Sequence, residues 1–261
     1  MQFIGDAIGI EFMKARHSRV PGLTLLGFSL APLTGGLFMK ILLDPTWAQR
    51  FGAMTVRAKL SATVADWSTY FGILTQAVAV GGLILFGFIV IWVFGREYSD
   101  RTMKDLLAVP ISRQAIVTAK FLVIFGWTSV LTLWIYVLGL GLGLFLGLPH
   151  WTADVALSAT LQLFAIAALT FILVVPLAWI ASAGQGYLVP FGALILVMFL
   201  AQVSASLGWG AYFPWAVPSL MSGAAGPSAQ SLGLGSYVLV VLAGSIGLFG
   251  TVAWWRYADQ T

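Results

Sequence analysis

Long apolar runs separated by short polar segments set the pattern of this 261-residue chain. Each run is long enough to cross the hydrocarbon core of a bilayer as an α-helix, which takes about 20 apolar residues. We therefore predict an all-α polytopic membrane protein that consists of a single transmembrane domain with six spans. The predicted spans are residues 20–43, 67–94, 121–148, 155–182, 187–207 and 236–255.

The segment before the first span has helical periodicity. Within residues 2–19, Phe3, Ala7, Ile8 and Phe12 would share one apolar face of a helix. This pattern is typical of an amphipathic helix that lies on the membrane surface. The alternative is a cytoplasmic start of the first span.

The segment before the last span, residues 208–235, is apolar but contains three prolines and several glycines. It cannot form one straight helix, because proline removes a backbone donor and clashes with the preceding turn. We predict short re-entrant or interfacial helices on the outer side. Aromatic residues suit a membrane interface, so we name a candidate outer gate: Trp209, Tyr212, Phe213, Pro214 and Trp215.

Composition supports a membrane protein, because only 8% of the residues are charged and 60% are hydrophobic, whereas a soluble domain is about 25% charged. The absence of cysteine excludes disulfides, thiolate nucleophiles and cysteine metal sites. Both histidines, His17 and His150, lie outside the predicted spans, which argues against an intramembrane serine or metal protease. The net charge of +4 does not indicate nucleic-acid binding, because the cations flank the spans.

The cations are divided unequally between the two sides of the membrane. The side that carries both termini holds nine of them: Lys14, Arg16, Arg19, Arg256 and the five cations of residues 95–120. The opposite side holds four: Lys40, Arg50, Arg57 and Lys59. The positive-inside rule therefore predicts that both termini are cytoplasmic.

Residues 95–120, which we call the charged loop, contain five of the thirteen Lys and Arg residues. Thr102 and Asp105 have the spacing of a capping box just before Leu106 and Leu107. Pro110 would end this short helix, and Ser112 can cap the next one. The pattern predicts an apolar strip surrounded by charges, suited to docking on a partner. The alternative is a solvated loop whose cations only set topology.

The order Glu97, Thr102, Leu106-Leu107, Pro110, Ser112-Arg113 and Lys120 resembles the first cytoplasmic loop of the membrane subunits of ABC-2 type transporters. The sequence departs from the family at Arg101, where glycine is common, so the turn before Thr102 can differ in shape. The resemblance is closest to single-domain bacterial permeases of the bacitracin and lantibiotic resistance type.

The resemblance implies a bacterial inner-membrane permease that pairs with a second permease, the same or related, and with a separate ABC ATPase subunit. ATP and magnesium would bind to the ATPase, and this chain would hold no cofactor. The expected activity is export of a hydrophobic or amphipathic drug, antibiotic peptide or lipid. The implied ATPase-coupling interface consists of Glu97, Arg101, Thr102, Lys104, Asp105, Leu106, Leu107, Pro110, Ser112 and Arg113.

Two further classes were weighed against this function. None of the five lysines precedes Ser or Thr, so the chain lacks a P-loop and is not predicted to be an enzyme. An ion-coupled secondary transporter usually carries ionisable groups inside the membrane, and the interiors of the predicted spans contain none. Another integral membrane protein remains the broader alternative.

Small and polar residues within the spans suggest packing and a substrate path. Gly139, Gly143 and Gly147 recur every four residues, which is suited to close helix contact. Gln76, Gln162 and Gln202 are the strongest polar groups inside the spans. We expect these glutamines either to form hydrogen bonds between helices or to line a substrate path.

Overall fold

The computed structural model describes residues 2–44, 46, 49, 64–103, 111–226 and 232–257, and this part of the chain contains helices and turns but no β-strand. The main helices are α1 (Gln2–Arg16), α2 (Val20–Leu43), α3 (Trp67–Ser99), α4 (Arg113–Phe145), α5 (Ala153–Val174), α6 (Pro176–Ala183), α7 (Leu188–Ser206), α8 (Val217–Met221) and α9 (Leu234–Tyr257).

Six candidate membrane spans occur in the described part, which confirms the predicted number. They are Val20–Leu43, Trp67–Ser99, Arg113–Phe145, Ala153–Ala183, Leu188–Ser206 and Leu234–Tyr257. The side of the membrane on which the termini lie stays a prediction.

Two of the spans are longer than the sequence pattern predicted. Helices α3 and α4 have 33 residues each, or about 50 Å at about 1.5 Å per residue, against about 30 Å for the hydrocarbon core. Helix α4 begins at Arg113 rather than near residue 121, because the Ser112 hydroxyl oxygen accepts a hydrogen bond from the Ala115 N–H at 3.2 Å. As predicted, Ser112 caps this helix. Both helices are therefore longer than the hydrocarbon core is thick, and the charged loop joins them at one end.

Helix α3 lies at the centre of the bundle. It packs against α2, α4, α5 and α6, and Tyr70, Leu74 and Phe86 are completely buried. The rings of Phe28 on α2 and Phe86 on α3 stack with their centroids 5.5 Å apart. The outer helices carry many exposed leucine, isoleucine and phenylalanine side chains, the surface that a lipid-facing helix requires.

The fourth predicted span is broken where proline was expected to bend it. Helix α5 ends at Val174 and α6 begins at Pro176, since proline has no N–H for the helical ladder. The Trp215 indole N–H donates to the Leu173 carbonyl at 2.9 Å beside this break. Trp215 belongs to residues 208–235, which we call the outer segment after their predicted side. It thus supplies a hydrogen-bond donor to a backbone carbonyl at a membrane helix break.

Glycines on α4 allow close approach to α3. A Cβ atom on Gly139 would collide with the Leu74 side chain, and one on Gly143 would collide with the Trp67 ring. Gly147 differs, because it follows the end of α4 with φ of +64° and a Cβ there would meet nothing within 4 Å. Of the three positions, two lie at the α3–α4 contact and the third forms the turn.

Helix α1 packs on α4. Ala7, Glu11 and Ala15 are buried against the protein, whereas Phe12 is 57% exposed. The apolar face predicted from the sequence concerned contact with the membrane, and the side that packs on the protein, which includes Glu11, was not predicted. The exposed Phe12 still suits contact with lipid, and the surface position of α1 in the membrane stays a prediction.

The outer segment forms two short 3-10 turns, Gly210–Tyr212 and Pro214–Ala216, followed by α8. Its described part is broken as predicted, whereas a re-entrant position in the membrane stays a prediction. Trp209 and Tyr212 are largely exposed, and Phe213, Pro214 and Trp215 are half-buried. Residues 227–231 lie outside the described part.

Candidate functional site: a buried ion network beside the charged loop

Four ionisable side chains from three helices meet where the charged loop begins. Glu11 and Lys14 come from α1, Glu97 from the end of α3, and Lys120 from the first turns of α4. The chain contains only two glutamates, and both belong to this cluster. We call these four residues the buried ion network.

Lys120 forms the interior corner of the network and is completely buried. Its Nζ atom lies 3.0 Å from Oε1 of Glu97 and 3.1 Å from Oε2 of Glu11. It also donates to the Val93 carbonyl at 3.2 Å. All three ammonium donors therefore have acceptors, which a buried charge requires.

Lys14 closes the ring from the solvent side, with a side chain that is 26% exposed. Its Nζ atom lies 2.8 Å from Oε1 of Glu97 and 3.1 Å from Oε1 of Glu11. Burial lowers the pKa of Lys14, but the carboxylates of Glu11 and Glu97 outweigh that effect and raise it above 10.5. The network thus holds two cations and two anions, each cation bonded to both carboxylates.

The network also holds the start of the charged loop. The Thr102 hydroxyl donates to Oε2 of Glu97 at 2.8 Å, and the Thr102 N–H donates to the Glu97 carbonyl at 3.0 Å. Arg101 turns the chain between them with φ of +57°. Glycine adopts this left-handed conformation without strain. The backbone at Arg101 therefore has the shape that suits the glycine often found at this position in the family that the loop resembles.

The other end of the charged loop is tied to the last span. The Arg113 guanidinium donates to the Trp255 carbonyl at 3.2 Å, near the end of α9, where a cation also complements the helix dipole. Trp255 is completely buried, and its indole N–H donates to the Ser182 hydroxyl at 2.9 Å. The loop is therefore anchored to α1, α3 and α4 at its start and to α9 at its end.

Comparison with known proteins decides the family. The profile described as ABC-2 family transporter protein matches residues 7–202, which is most of the chain and includes the charged loop and the ion network. The chain belongs to the ABC-2 transporter family. The permease is also 27% identical over 205 residues to the bacitracin transport permease protein BCRB of Bacillus licheniformis. That match covers 78% of the permease and 95% of its relative.

Family membership settles the class of protein. The permease is a multi-pass membrane subunit of an ABC transporter, a class of subunit that is not itself an enzyme. This finding decides against the alternative of a stand-alone, ion-coupled secondary transporter.

Only some residues of the predicted coupling interface belong to the described part of the permease. Arg101, Thr102, Ser112 and Arg113 lie at the two ends of the charged loop. Lys104, Asp105, Leu106, Leu107 and Pro110 lie outside the described residues.

The placement of two loop residues needs correction. Glu97 was predicted on a surface that contacts a partner, but it is only 2% exposed and its carboxylate faces inward. Lys120 was counted among the solvent cations of the loop, but it is buried in α4. Both residues lie within long helices whose ends pack against α1, so neither is free to contact another protein.

The sequence analysis missed the roles of Glu11 and Lys14. Their partners lie far along the chain, at a separation of 83 residues for Lys14 and Glu97 and 109 for Glu11 and Lys120. A signal was present, because two glutamates in an apolar chain, each on a helix, both need counter-ions if they are buried.

The three glutamines of the spans have different surroundings. The Gln162 side-chain amide donates to the Met221 carbonyl at 2.8 Å and so links α5 to α8. Gln76 and Gln202 are exposed on the outside of the chain. Gln162 therefore makes a hydrogen bond between helices, which is one of the two roles predicted for these glutamines.

Proposed function

We propose that this permease is the membrane-spanning part of an ATP-driven exporter whose ATPase is a separate subunit. The observation that carries the proposal is the anchoring of the charged loop at both ends. Thr102 is bonded to Glu97 at 2.8 Å, and Arg113 is bonded to the end of α9 at 3.2 Å. A loop that is fixed in this way transmits a push on its tip to α1, α3, α4 and α9 together.

The coupling surface is the middle of the charged loop. Leu106 and Leu107 supply apolar contact with the ATPase, and Lys104 and Asp105 supply the surrounding charge. The sequence predicts that the docking helix ends at Pro110, and the exposed Arg113 guanidinium passes movement on to α9. ATP and magnesium bind to the ATPase subunits, and closure of those subunits moves the spans.

The ion network makes α1 part of the moving unit. Helix α1 contributes Glu11 and Lys14, so separating it from α3 would leave Glu97 and Lys120 buried without their full set of partners. Such a separation would cost several kcal/mol. Helix α1 and the loop-side ends of α3 and α4 therefore shift as one body.

The substrate is a hydrophobic or amphipathic compound such as a drug, an antibiotic peptide or a lipid. The Bacillus licheniformis relative is named for bacitracin transport, and this supports the peptide class. The aromatic residues Trp209, Tyr212 and Phe213, with Pro214 and Trp215, form the outer gate. Trp215 connects that gate to the break between α5 and α6.

The working unit contains two permeases, identical or related, and two ATPases in the bacterial inner membrane. The charged loop and both termini face the cytoplasm. With Lys120 removed from the solvent cations, eight remain on that side against four on the other, so the positive-inside argument keeps its direction.

Export is tested in a bacitracin-sensitive bacterium that expresses the permease together with its ATPase. The proposal predicts that cells tolerate more bacitracin, or another amphipathic compound from a screened panel, and accumulate less of it. An ATPase variant with its P-loop lysine replaced is the matched control and should abolish both effects. Equal accumulation with the active and inactive ATPase across the panel would contradict the proposed direction.

A further inference from the structure

A second polar site lies at the opposite end of α3 from the ion network. A cavity of about 260 Å³ opens between α3, α5 and the turn after α8, lined in part by Phe71, Thr75, Ser158, Gln162 and Ser222. Thr75 and Glu97 are 22 residues apart on α3, or about 33 Å at about 1.5 Å per residue. The cavity is therefore separate from the coupling end of the protein.

Four hydroxyl side chains line this cavity, and three of them, all except Ser68, donate to backbone carbonyls. Thr75 donates to the Gly72 carbonyl at 2.9 Å, Ser158 to the Asp154 carbonyl at 2.7 Å and Ser222 to the Ser219 carbonyl at 3.0 Å. A hydroxyl has one O–H donor but two acceptor lone pairs. The Ser222 oxygen also accepts from the Ala224 N–H at 3.3 Å. These side chains consequently present oxygen acceptors to the cavity.

Gln162 is fixed by one of the two N–H donors of its amide. Its amide nitrogen donates to the Met221 carbonyl at 2.8 Å, which fixes the amide so that its carbonyl oxygen is an acceptor for any other partner. Thr75 is 1% exposed and Ser222 is 7% exposed. The acceptors are therefore held in place by bonds to backbone. Thr75 and Ser222 are shielded from bulk water, whereas Ser158 lies at the exposed mouth of the cavity.

The described lining of the cavity carries no charged side chain. None of its described lining residues is Lys, Arg or His. Asp66 caps α3 and Asp154 lies in the first turn of α5, so both carboxylates are at this end of the bundle. Phe71 adds an aromatic ring to the lining, and aromatic faces attract cations. Oxygen acceptors, nearby carboxylates and an aromatic ring together favour a group that donates hydrogen bonds and carries positive charge.

We propose that this cavity binds a primary ammonium group carried on an apolar stem. The inference deepens the proposed export function, on which it rests, by naming an amphipathic amine as the substrate class. A transported amine and the ethanolamine headgroup of a lipid share this chemistry. The ammonium group donates to Thr75, Ser158 and the Gln162 carbonyl, and the stem extends along the bundle.

The test uses the full permease without its ATPase, in nanodiscs of phosphatidylglycerol and phosphatidylcholine, which contain no primary ammonium. Equilibrium binding of radiolabelled octylamine is measured against empty nanodiscs. Saturable binding near one octylamine per chain is expected. Octyltrimethylammonium has the same charge but no N–H donor, and loss of the three hydrogen bonds should weaken its binding by at least about tenfold. Equal binding of the two ions, or no saturable binding, would overturn the proposal.

The residue-level test is Thr75→Val, which keeps the side-chain shape and removes the acceptor. It should weaken octylamine binding about fivefold, roughly 1 kcal/mol. Thr118→Val is the matched control, because exposed Thr118 lies on α4 near the ion network and donates to Gln114 at 2.8 Å; it should bind like the original protein. If Thr75→Val fails to fold, Ser158→Ala takes its place. Unchanged octylamine binding in the folded variant, or an equal loss of binding in the Thr118→Val control, would contradict the proposal.

Adding phosphatidylethanolamine to the nanodiscs distinguishes the two sources of the ammonium group. Competition with octylamine supports the site with a lipid headgroup as its occupant, and undiminished octylamine binding supports a transported amine. The assay contains no ATPase, so a negative result leaves the proposed ATPase partnership standing. A missing ATPase partner with intact amine binding would instead refute the proposed function.

Discussion

The Nζ atom of Lys120 on α4 lies 3.0 Å from the Oε1 atom of Glu97 on α3, and neither residue is more than 2% exposed. A buried ion pair adds little stability compared with well-packed apolar residues, but removing one partner is costly. The pair therefore acts chiefly to fix α3 and α4 to each other and, through Glu11 and Lys14, to α1. The position of the charged loop depends on this arrangement.

Replacing Lys120 with methionine should destabilise the permease by about 3–5 kcal/mol, because two buried carboxylates would then share only Lys14. The measurement is the unfolding midpoint in detergent, followed by loss of the monodisperse peak. Lys40→Met is the matched control, since Lys40 forms a half-exposed pair with Asp44 at 3.4 Å, and it should cost at most about 1 kcal/mol.

The double variant Lys120→Met with Glu97→Gln tests whether charge balance is the cause. It restores one cation to one anion, so it should recover a large part of the lost stability. The two substitutions should couple by about 0.5–3 kcal/mol, as residues in contact do. Additive destabilisation would show that packing, rather than charge, explains the effect of Lys120.

Replacing Thr102 with valine should uncouple the charged loop while leaving the fold nearly intact. The substitution removes one hydrogen bond, to Oε2 of Glu97 at 2.8 Å, which is worth about 1 kcal/mol. We expect normal ATPase binding but a several-fold smaller stimulation of ATP hydrolysis by substrate. Thr118→Val serves as the control, and loss of stimulation in both variants would remove the argument for a specific tether.

Two glycines of α4 should respond with opposite signs to the same substitution. Gly143→Ala places a methyl group against the Trp67 ring and should destabilise the protein by about 1–3 kcal/mol. Gly141→Ala meets nothing within 4 Å, so it should be neutral or stabilise the helix by up to about 1 kcal/mol. Thermal unfolding of the two variants in one detergent checks the sign, and equal behaviour would contradict the α3–α4 contact.

Introducing a charge at Leu106 or Leu107 should abolish ATPase binding without preventing membrane insertion. Leu106→Asp and Leu107→Asp would place a carboxylate in the apolar strip proposed to contact the ATPase. The corresponding methionine variants keep the strip apolar and should bind normally. The readout is the amount of ATPase retained on tagged permease, and normal retention in both aspartate variants would refute this placement.

The sequence predicted the spans well because a membrane helix is specified locally. An apolar run of fixed length, ended by polar residues, decides residues 20–43 without reference to the rest of the chain, and α2 has those same bounds. The break at Pro176 was predictable for the same reason, because proline acts on its own helix.

The ion network could not be predicted in this way. Lys120 directly precedes the apolar run that begins at Phe121, so its charge suggested a solvent loop. Its burial depends on Glu11, which is 109 residues away and on a helix whose protein-facing side the apolar pattern did not identify. Pairing between distant helices leaves no local periodicity, and only the scarcity of glutamate in the chain pointed to it.

The most direct test of the central claim is affinity purification of the permease from native membranes in mild detergent, with mass spectrometry of the proteins retained. The account predicts a soluble P-loop ATPase in about equal amount, lost from Leu106→Asp and kept by Leu106→Met. If the permease alone is recovered even after chemical cross-linking, the charged loop is not an ATPase-coupling element and the proposed mechanism is wrong.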